Sequence, residues 1–200
     1  MHSAMEYLIR LLYTYAEHIG MGFSLLFVLF AIKQNVWCWL FGGIGAVFYI
    51  FAYYQYKFYA DMSLQFYYVA VSVYGWWSWK YGKQEDTDSP LSISQLSFRQ
   101  WLQVLLVTAA VFGVYVYFLT VFTDSPVIIG DSFTTAVCIV ATYLAARKVI
   151  DNWLLFIVAD AVAIALYLYK GMYPTVLLFA VYTVMAVAGY FRWREEINRS

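Results

Sequence analysis

Charge is what this sequence has least of. Asp, Glu, Lys and Arg supply 12% of its 200 residues, about half the share of a soluble domain. So few charges cannot coat a globule of this size, and they cluster between long apolar runs. A soluble enzyme and a disordered chain are excluded. Lys+Arg 12 balances Asp+Glu 12, so there is no basic field for nucleic acid. Cysteine is scarce too. Cys38 and Cys138 both lie inside apolar runs, with no CxxC or Cys/His metal spacing, and cannot build a secreted disulfide framework. HExxH, GxSxG, Walker A and GxGxxG patterns are missing, which argues against hydrolysis and nucleotide binding. No metal or cofactor is expected. No basic n-region with an A-x-A site precedes the first long run, so no cleaved signal is expected.

Apolar residues are what is there: 64% of the chain, with a mean hydropathy of +0.68. This composition describes an all-α, polytopic membrane protein. A helix crossing the hydrocarbon needs about 20 apolar residues. Seven stretches qualify, near 12–32, 36–55, 60–79, 101–122, 132–147, 152–169 and 173–192. The polar segment between Lys80 and Gln100, with Gly82 and Pro90, is the one connection long enough to be a linker. Its KQEDTD run (83–88) reads as a solvated loop.

An even span count is the rival, because Glu17 and His18 fall in the first span. The basic residues favour seven. Arg10, Lys57 and Lys170 fall on one side; Lys33, Lys80, Lys83, Arg99, Arg147, Lys148, Arg192, Arg194 and Arg199 fall on the other. Basic residues concentrate on the cytoplasmic side, which puts the C-terminus and linker inside and the N-terminus outside. Trp37, Trp39, Trp76, Trp77, Trp79, Trp101, Trp153 and Trp193 lie near span ends, as an interfacial belt does.

Sliding the sequence on itself by 114 residues, without a gap, sets Trp39 on Trp153, Tyr53 on Tyr167 and Tyr68 on Tyr182. It also sets Gly75 on Gly189, Trp79 on Trp193, Lys33 on Arg147 and Glu17 on Asp131. The chain therefore divides into repeat one (about 12–80), linker 81–100, a connecting helix (about 101–122) and repeat two (about 131–194). Three spans plus one connecting span is an even step, so the halves share one orientation. Parallel repeats of this kind build carriers with a site between the halves, near the midplane.

Three stretches resemble the PnuC family of bacterial vitamin transporters: WLFGGIGAVFYIFAYYQYKFYADMSLQFYY (39–68), YGWWSWK (74–80) and ARKVIDNWLLFIVADAVAIALYLYKGMY (146–173), the last with the tail GYFRWR (189–194). The resemblance implies a seven-helix 3+1+3 fold similar to the SWEET sugar transporters. It implies a homotrimer in the bacterial inner membrane and facilitated uptake of a vitamin precursor, trapped inside by phosphorylation. Nicotinamide riboside is the substrate it implies first, thiamine (PnuT subgroup) the alternative, with riboflavin linked to other members. The family's riboside carriers are expected to hold Asn in the second span, in a motif like GLINV. Here the segment reads GGIGAV (42–47), with Gly45 at that place, and Asp160 stands at the analogous place in the sixth span.

An ionisable group inside a membrane is a functional hypothesis by default. Asp160, eight residues into the sixth span, meets a cationic or hydroxyl-bearing ligand, or it pairs with neighbouring helices and only packs them. Asn152, Phe156 and Asp160 share a helix face, as do Gln65, Tyr68, Ser72 and Trp76. Gln65 can read an amide or an aminopyrimidine, or it makes a helix–helix hydrogen bond. Trp39 and Trp153 stack on an aromatic cation or anchor at the interface. Tyr53, Tyr167, Tyr68 and Tyr182 carry the same ambiguity. Glu17 and His18 form an external gate contact, or a proton-coupling pair. Gly42, Gly43 and Gly45 allow close helix packing. A non-transporting structural or signalling protein and a sugar carrier are the remaining readings. Substrate-dependent uptake separates these classes.

Overall fold

The computed structural model describes residues 2–55, 59–83, 89–123, 127–169 and 171–199, with side chains from Tyr15 onward except those of residues 55 and 59–61. The linker run after Lys83 and the basic residues Lys57 and Lys170 lie outside the described residues. The described chain forms seven helices: α1 (His2–Ile32), α2 (Trp37–Gln55), α3 (Tyr59–Tyr81), α4 (Phe98–Phe122), α5 (Ile128–Ala146), α6 (Asn152–Tyr169) and α7 (Tyr173–Arg199). Six of them, all but α3, are long and apolar enough to cross a membrane. α3 has the length, but Gln65, Ser72 and Ser78 make it more polar. All three are buried against other helices and face no lipid.

Two helices overrun the apolar stretches expected for them. α1 starts at His2, and α7 continues to Arg199. Ala, Met, Glu, Leu and Arg before residue 12, and Arg and Glu after residue 191, are strong helix formers that carry the helix past the bilayer. α4 starts at Phe98 behind a capping box. The Gln100 backbone N–H donates to Ser97 Oγ, and Gln100 Oε1 accepts from the Ser97 backbone N–H. Two orphan donors of the helix start are thereby satisfied.

α1, α2 and α3 pack in sequence, as do α5, α6 and α7. The two groups meet where α1 touches α7 and α3 touches α5, and α4 leans on α5. α4 otherwise leaves Leu105, Leu106, Val114, Tyr117 and Phe122 uncovered, the surface expected of a helix facing lipid.

The turns α1–α2 and α5–α6 are built alike. Gln34 and Lys148 both adopt left-handed backbone, φ 52° and 53°, uncommon for residues other than glycine. The Gln34 N–H donates to the Ala31 carbonyl at 2.9 Å, and the Lys148 N–H to the Ala145 carbonyl at 3.0 Å. The Asn35 N–H donates to Phe30 at 3.0 Å, and the Val149 N–H to Leu144 at 2.9 Å. Each pair of bonds lies 114 residues apart.

Four tryptophans close this end of the bundle. Trp39 meets Trp79 edge to face at 5.6 Å, and Trp153 meets Trp193 in the same way at 5.5 Å. Trp79 and Trp193 lie 6.0 Å apart across the seam. Trp39 lies against Gly75, where a Cβ would come within 2.4 Å of its ring. Trp153 lies against Gly189, where the distance would be 2.7 Å. The belt expected of all eight tryptophans is therefore corrected. Trp37 and Trp77 are exposed, but Trp39, Trp153 and Trp193 are core residues, at most 3% exposed. Glycine opposite each inner indole makes the room that draws them inward.

The linker docks on the α5–α6 turn. Ser94 bridges Val149, its N–H donating to the Lys148 carbonyl at 3.0 Å and its carbonyl accepting from the Ile150 N–H at 2.9 Å. The Leu96 N–H donates to the buried Asp151 carboxylate at 2.7 Å. Lys148 Nζ donates to the Leu91 carbonyl at 3.1 Å and stands 5.2 Å from the Trp79 ring centre. Burial lowers the pKa of this ammonium from its usual 10.5.

Candidate substrate site

α6 carries the candidate acid. Asp160 stands halfway along it, about 12 Å from Asn152 at roughly 1.5 Å per residue, and is 6% exposed. The carboxylate makes no hydrogen bond and no ion pair among the described residues. Two groups lie within electrostatic reach: Cys138 on α5 and Tyr182 on α7. Tyr182 also meets the Ser24 hydroxyl of α1 through a side-chain hydrogen bond and lies close to Tyr49 of α2. Tyr49 in turn reaches Glu17 and Tyr167. Cys138 is within electrostatic reach of Tyr68 as well, so Asp160 and Tyr68, from opposite halves, both act on one α5 position.

The α3 face expected from spacing is present. Gln65 and Ser72 are buried, and neither side chain makes a hydrogen bond among the described residues. Ser72 rests against the α2 backbone, 3.4 Å from where a Cβ on Gly43 would stand. Tyr68 is half-buried, next to Tyr53, Tyr67 and Tyr115. The neighbouring Tyr67 ties the halves together, its hydroxyl donating to the Ile139 carbonyl at 2.7 Å.

The other expected residues lie elsewhere. Trp39, Trp153 and Asn152 sit in the tryptophan cluster and beside it, about two helical turns from Asp160. Asn152 Nδ2 donates to Val149 at 2.6 Å. Its Oδ1 and the indole N–H groups of Trp39 and Trp153 are buried without a partner among the described residues. Buried polar groups are normally satisfied, so this end also offers two donors and an acceptor. Phe156 is half-buried, packs against the same cluster and tilts on Trp153 at 6.5 Å. Glu17 and His18 are exposed, and Glu17 lies within electrostatic reach of Tyr49.

Sequence reading missed Cys138, Ser24 and Tyr49 as neighbours of the site. The internal offset held the signal for the first two. Advancing Ser24 by 114 gives Cys138, and their partners Tyr182 and Tyr68 stand at the same offset.

Membrane-length helices packed around amide and carboxyl groups that have no partner among the described residues define a polytopic membrane protein with a polar interior, the construction carriers use. The family model for nicotinamide mononucleotide transporters matches residues 14–195, and the chain belongs to that family. It is 23% identical over 215 residues to the nicotinamide riboside transporter PnuC of Escherichia coli, covering 94% of this chain and 90% of the relative. It is 29% identical over 188 residues to the PnuC of Neisseria mucosa, covering 88% and 70%. Against the riboflavin/roseoflavin transporter RibM of Streptomyces davaonensis the identity is 23% over 185 residues, covering 90% and 84%. A crystal structure of the vitamin B3 transporter PnuC superposes with a TM-score of 0.73 at 27% identity, covering 93% of this chain and 83% of that one.

Proposed function

We propose that this chain is an inner-membrane carrier that takes up a vitamin precursor by facilitated diffusion, with nicotinamide riboside as its substrate. The observation that carries the reading is Asp160, a buried carboxyl group without a hydrogen-bond or ion-pair partner among the described residues, inside a chain of the nicotinamide mononucleotide transporter family. Relatives named as nicotinamide riboside transporters support the substrate. Asp160, Gln65, Tyr68 and Ser72 contact it. Asn152, Phe156, Trp39 and Trp153 border it from the tryptophan-lined end. Glu17 and His18 form the outer gate contact. The family is one of transporters, which supports reading the protein as a carrier and not as an enzyme.

The architecture in this reading is a SWEET-like 3+1+3 parallel repeat of seven membrane-crossing helices, α1–α3 and α5–α7 joined by α4, assembled as a homotrimer. The turn, glycine–tryptophan and indole contacts that recur at an offset of 114 residues support the repeat. The nine-to-three division of Lys and Arg supports an outside N-terminus and a cytoplasmic C-terminus. Alternating access then rocks the two halves around the midplane site.

Thiamine is the second reading, favoured by Gly45 where the riboside carriers are expected to hold Asn and by the carboxyl group of Asp160. The test is uptake of labelled nicotinamide riboside, and separately thiamine, into proteoliposomes without ATP or an ion gradient. Saturable equilibration of the riboside is expected. Saturable uptake of thiamine alone moves the assignment to the second reading. No saturable uptake of either by folded protein overturns the carrier assignment.

A further inference from the structure

We propose that residues 89–97 form a latch that holds the linker end of the bundle shut, with Leu91 and Lys148 as its catch, and that the latch lets go of α3 in each transport cycle. The role in transport rests on the carrier reading; the closure itself does not. Residues 93–97 belong with the second group of helices. Ser94 pairs with the α5–α6 turn through two backbone bonds, and Asp151 holds the Leu96 N–H. The Leu96 side chain packs with Val140, Leu144 and Val149. Leu91 joins the two groups. Its N–H donates to the Gly82 carbonyl, just past the end of α3, at 3.0 Å, and its carbonyl accepts from Lys148 Nζ at 3.1 Å. Pro90 bridges Lys83 beside it. Lys148 Nζ also stands 5.2 Å from the ring centre of Trp79 on α3, whose indole donates to the Ala145 carbonyl at 3.0 Å. One linker residue and one ammonium thus fasten α3 to the α5–α6 turn.

The α1–α2 turn separates what the turn needs from what the latch needs. It has the same left-handed residue and the same pair of backbone bonds, but Gln34 and Trp37 stand 114 residues before Lys148 and Asp151. Such a turn forms without an ammonium or a carboxylate, so those two groups of the second turn serve the linker. Reach then sets the consequence. Leu91 and Ser94 are three residues apart, about 10 Å when fully extended. While the bonds at Gly82 and at Ser94 both hold, α3 and the α5–α6 turn can separate by little more than that span. A wider rocking of one half against the other needs one anchor to release. The Leu91–Gly82 side releases, because the other side is held by a charged bond and by apolar packing. Beneath the latch, Ile93 packs on the cluster that contains Cys38, Trp39, Ile150 and Trp193. Cys38 is fully buried there, so its thiol reports on opening of this end. Cys138, halfway along α5, does not.

The test reads both native thiols of the full chain in proteoliposomes, by the rate of N-ethylmaleimide alkylation followed by peptide mass spectrometry. Lys148→Met keeps the apolar stem and deletes the ammonium. It should speed alkylation of Cys38 by about tenfold, the ratio set by one charged hydrogen bond, and leave Cys138 unchanged. Lys148→Arg keeps a charged donor and should stay near the wild-type rate. Arg192→Gln removes an exposed charge near the end of α7 and should change neither rate. An unchanged Cys38 rate in Lys148→Met overturns the latch, and so does equal acceleration at both cysteines, which marks general loosening. The transport role is read by a lock. Paired residues of an antiparallel bridge stand about 4.5–5.5 Å apart at Cα, within disulfide range, so Lys83→Cys combined with Pro90→Cys can be oxidised across the latch. Vitamin uptake should stop in the oxidised protein and return on reduction. Full uptake with the disulfide formed overturns the transport role. If the wild type takes up neither vitamin, the carrier reading and the transport role fall together, while the alkylation rates still decide the closure.

Discussion

The indole of Trp193 donates a 3.1 Å hydrogen bond to the carbonyl of Ala31, 162 residues away. Its counterpart runs the other way: Trp79 Nε1 donates to the Ala145 carbonyl at 3.0 Å. Advancing Trp79 and Ala31 by 114 residues gives Trp193 and Ala145, so each half lends an indole to the other's helix end. Reciprocal contacts of this form are what a two-fold relation produces. Both carbonyls also accept a turn N–H, from Gln34 and from Lys148. The two indoles thus fasten each half to the helix-end turn of the other.

Replacing Trp193 by Phe removes that bond and leaves a void in a site without solvent. The lost hydrogen bond and the unfilled volume together should destabilise the protein by about 2–4 kcal/mol. Trp77→Phe, on a ring that is 58% exposed, should change stability little. Thermal unfolding of the two variants in detergent, side by side, checks the difference. Equal melting temperatures would remove the indole bridge from any account of how the halves are joined.

The glycines opposite the inner tryptophans give a second test. A methyl group would come within 2.4 Å of the Trp39 ring at Gly75 and within 2.7 Å of the Trp153 ring at Gly189. Gly75→Ala and Gly189→Ala should each cost about 1–3 kcal/mol by overpacking. Gly22 and Gly113 are also helical but have open space where a Cβ would go. Alanine there should stabilise by about 0.5–1 kcal/mol, the helix preference of alanine over glycine. Melting temperatures that fall for the first pair and rise for the second are the expected pattern.

Helix number and most helix ends were legible, because the bilayer writes its thickness into the length of an apolar run. α6 begins and ends at the residues its apolar run marks. The ends of α1 and α7 were not legible, since helix propensity outlasts hydropathy there. Asp160 stood out as a charge in mid-run. Its neighbours did not stand out locally, because Cys138 and Tyr182 reach it from other helices, and only the 114-residue offset, which sets Ser24 on Cys138 and Tyr68 on Tyr182, relates positions on separate helices. The tryptophans show the same limit. A belt indole and a core indole look identical in composition, and only the glycine opposite Trp39 separates it from Trp37. Nor does any local pattern reveal that Ser94 pairs with Val149, since the linker has no periodicity to match against the turn.

That linker strap should loosen when its acceptor is removed. Asp151→Ala deletes the carboxylate that takes the Leu96 N–H at 2.7 Å and that faces the positive end of the α6 dipole. Leaving this N–H without its charged partner should cost about 1–3 kcal/mol locally. Asp151→Asn retains an acceptor oxygen and should cost less. Hydrogen exchange over residues 91–97 checks this directly: faster exchange is expected in the alanine variant, intermediate in the asparagine variant. If exchange there is unchanged while the rest of the chain stays protected, the strap is held by Ser94 and Lys148 alone.

The last expectation concerns the cost of keeping a site open. Gln65 is buried at 8% exposure with no side-chain hydrogen bond among the described residues. A buried amide without a partner costs roughly 1–3 kcal/mol on mutational scales. Methionine has nearly the shape of glutamine and no such cost. Gln65→Met should therefore raise the melting temperature of the unliganded protein. If the amide serves a substrate, the same variant should lose the further rise that the carried vitamin gives the wild type, because a ligand stabilises only through the affinity it retains for the folded state. A gain in stability with a loss of the ligand-induced shift identifies Gln65 as a group held unsatisfied for binding. A loss of stability would show that the amide is satisfied in the membrane and works as packing.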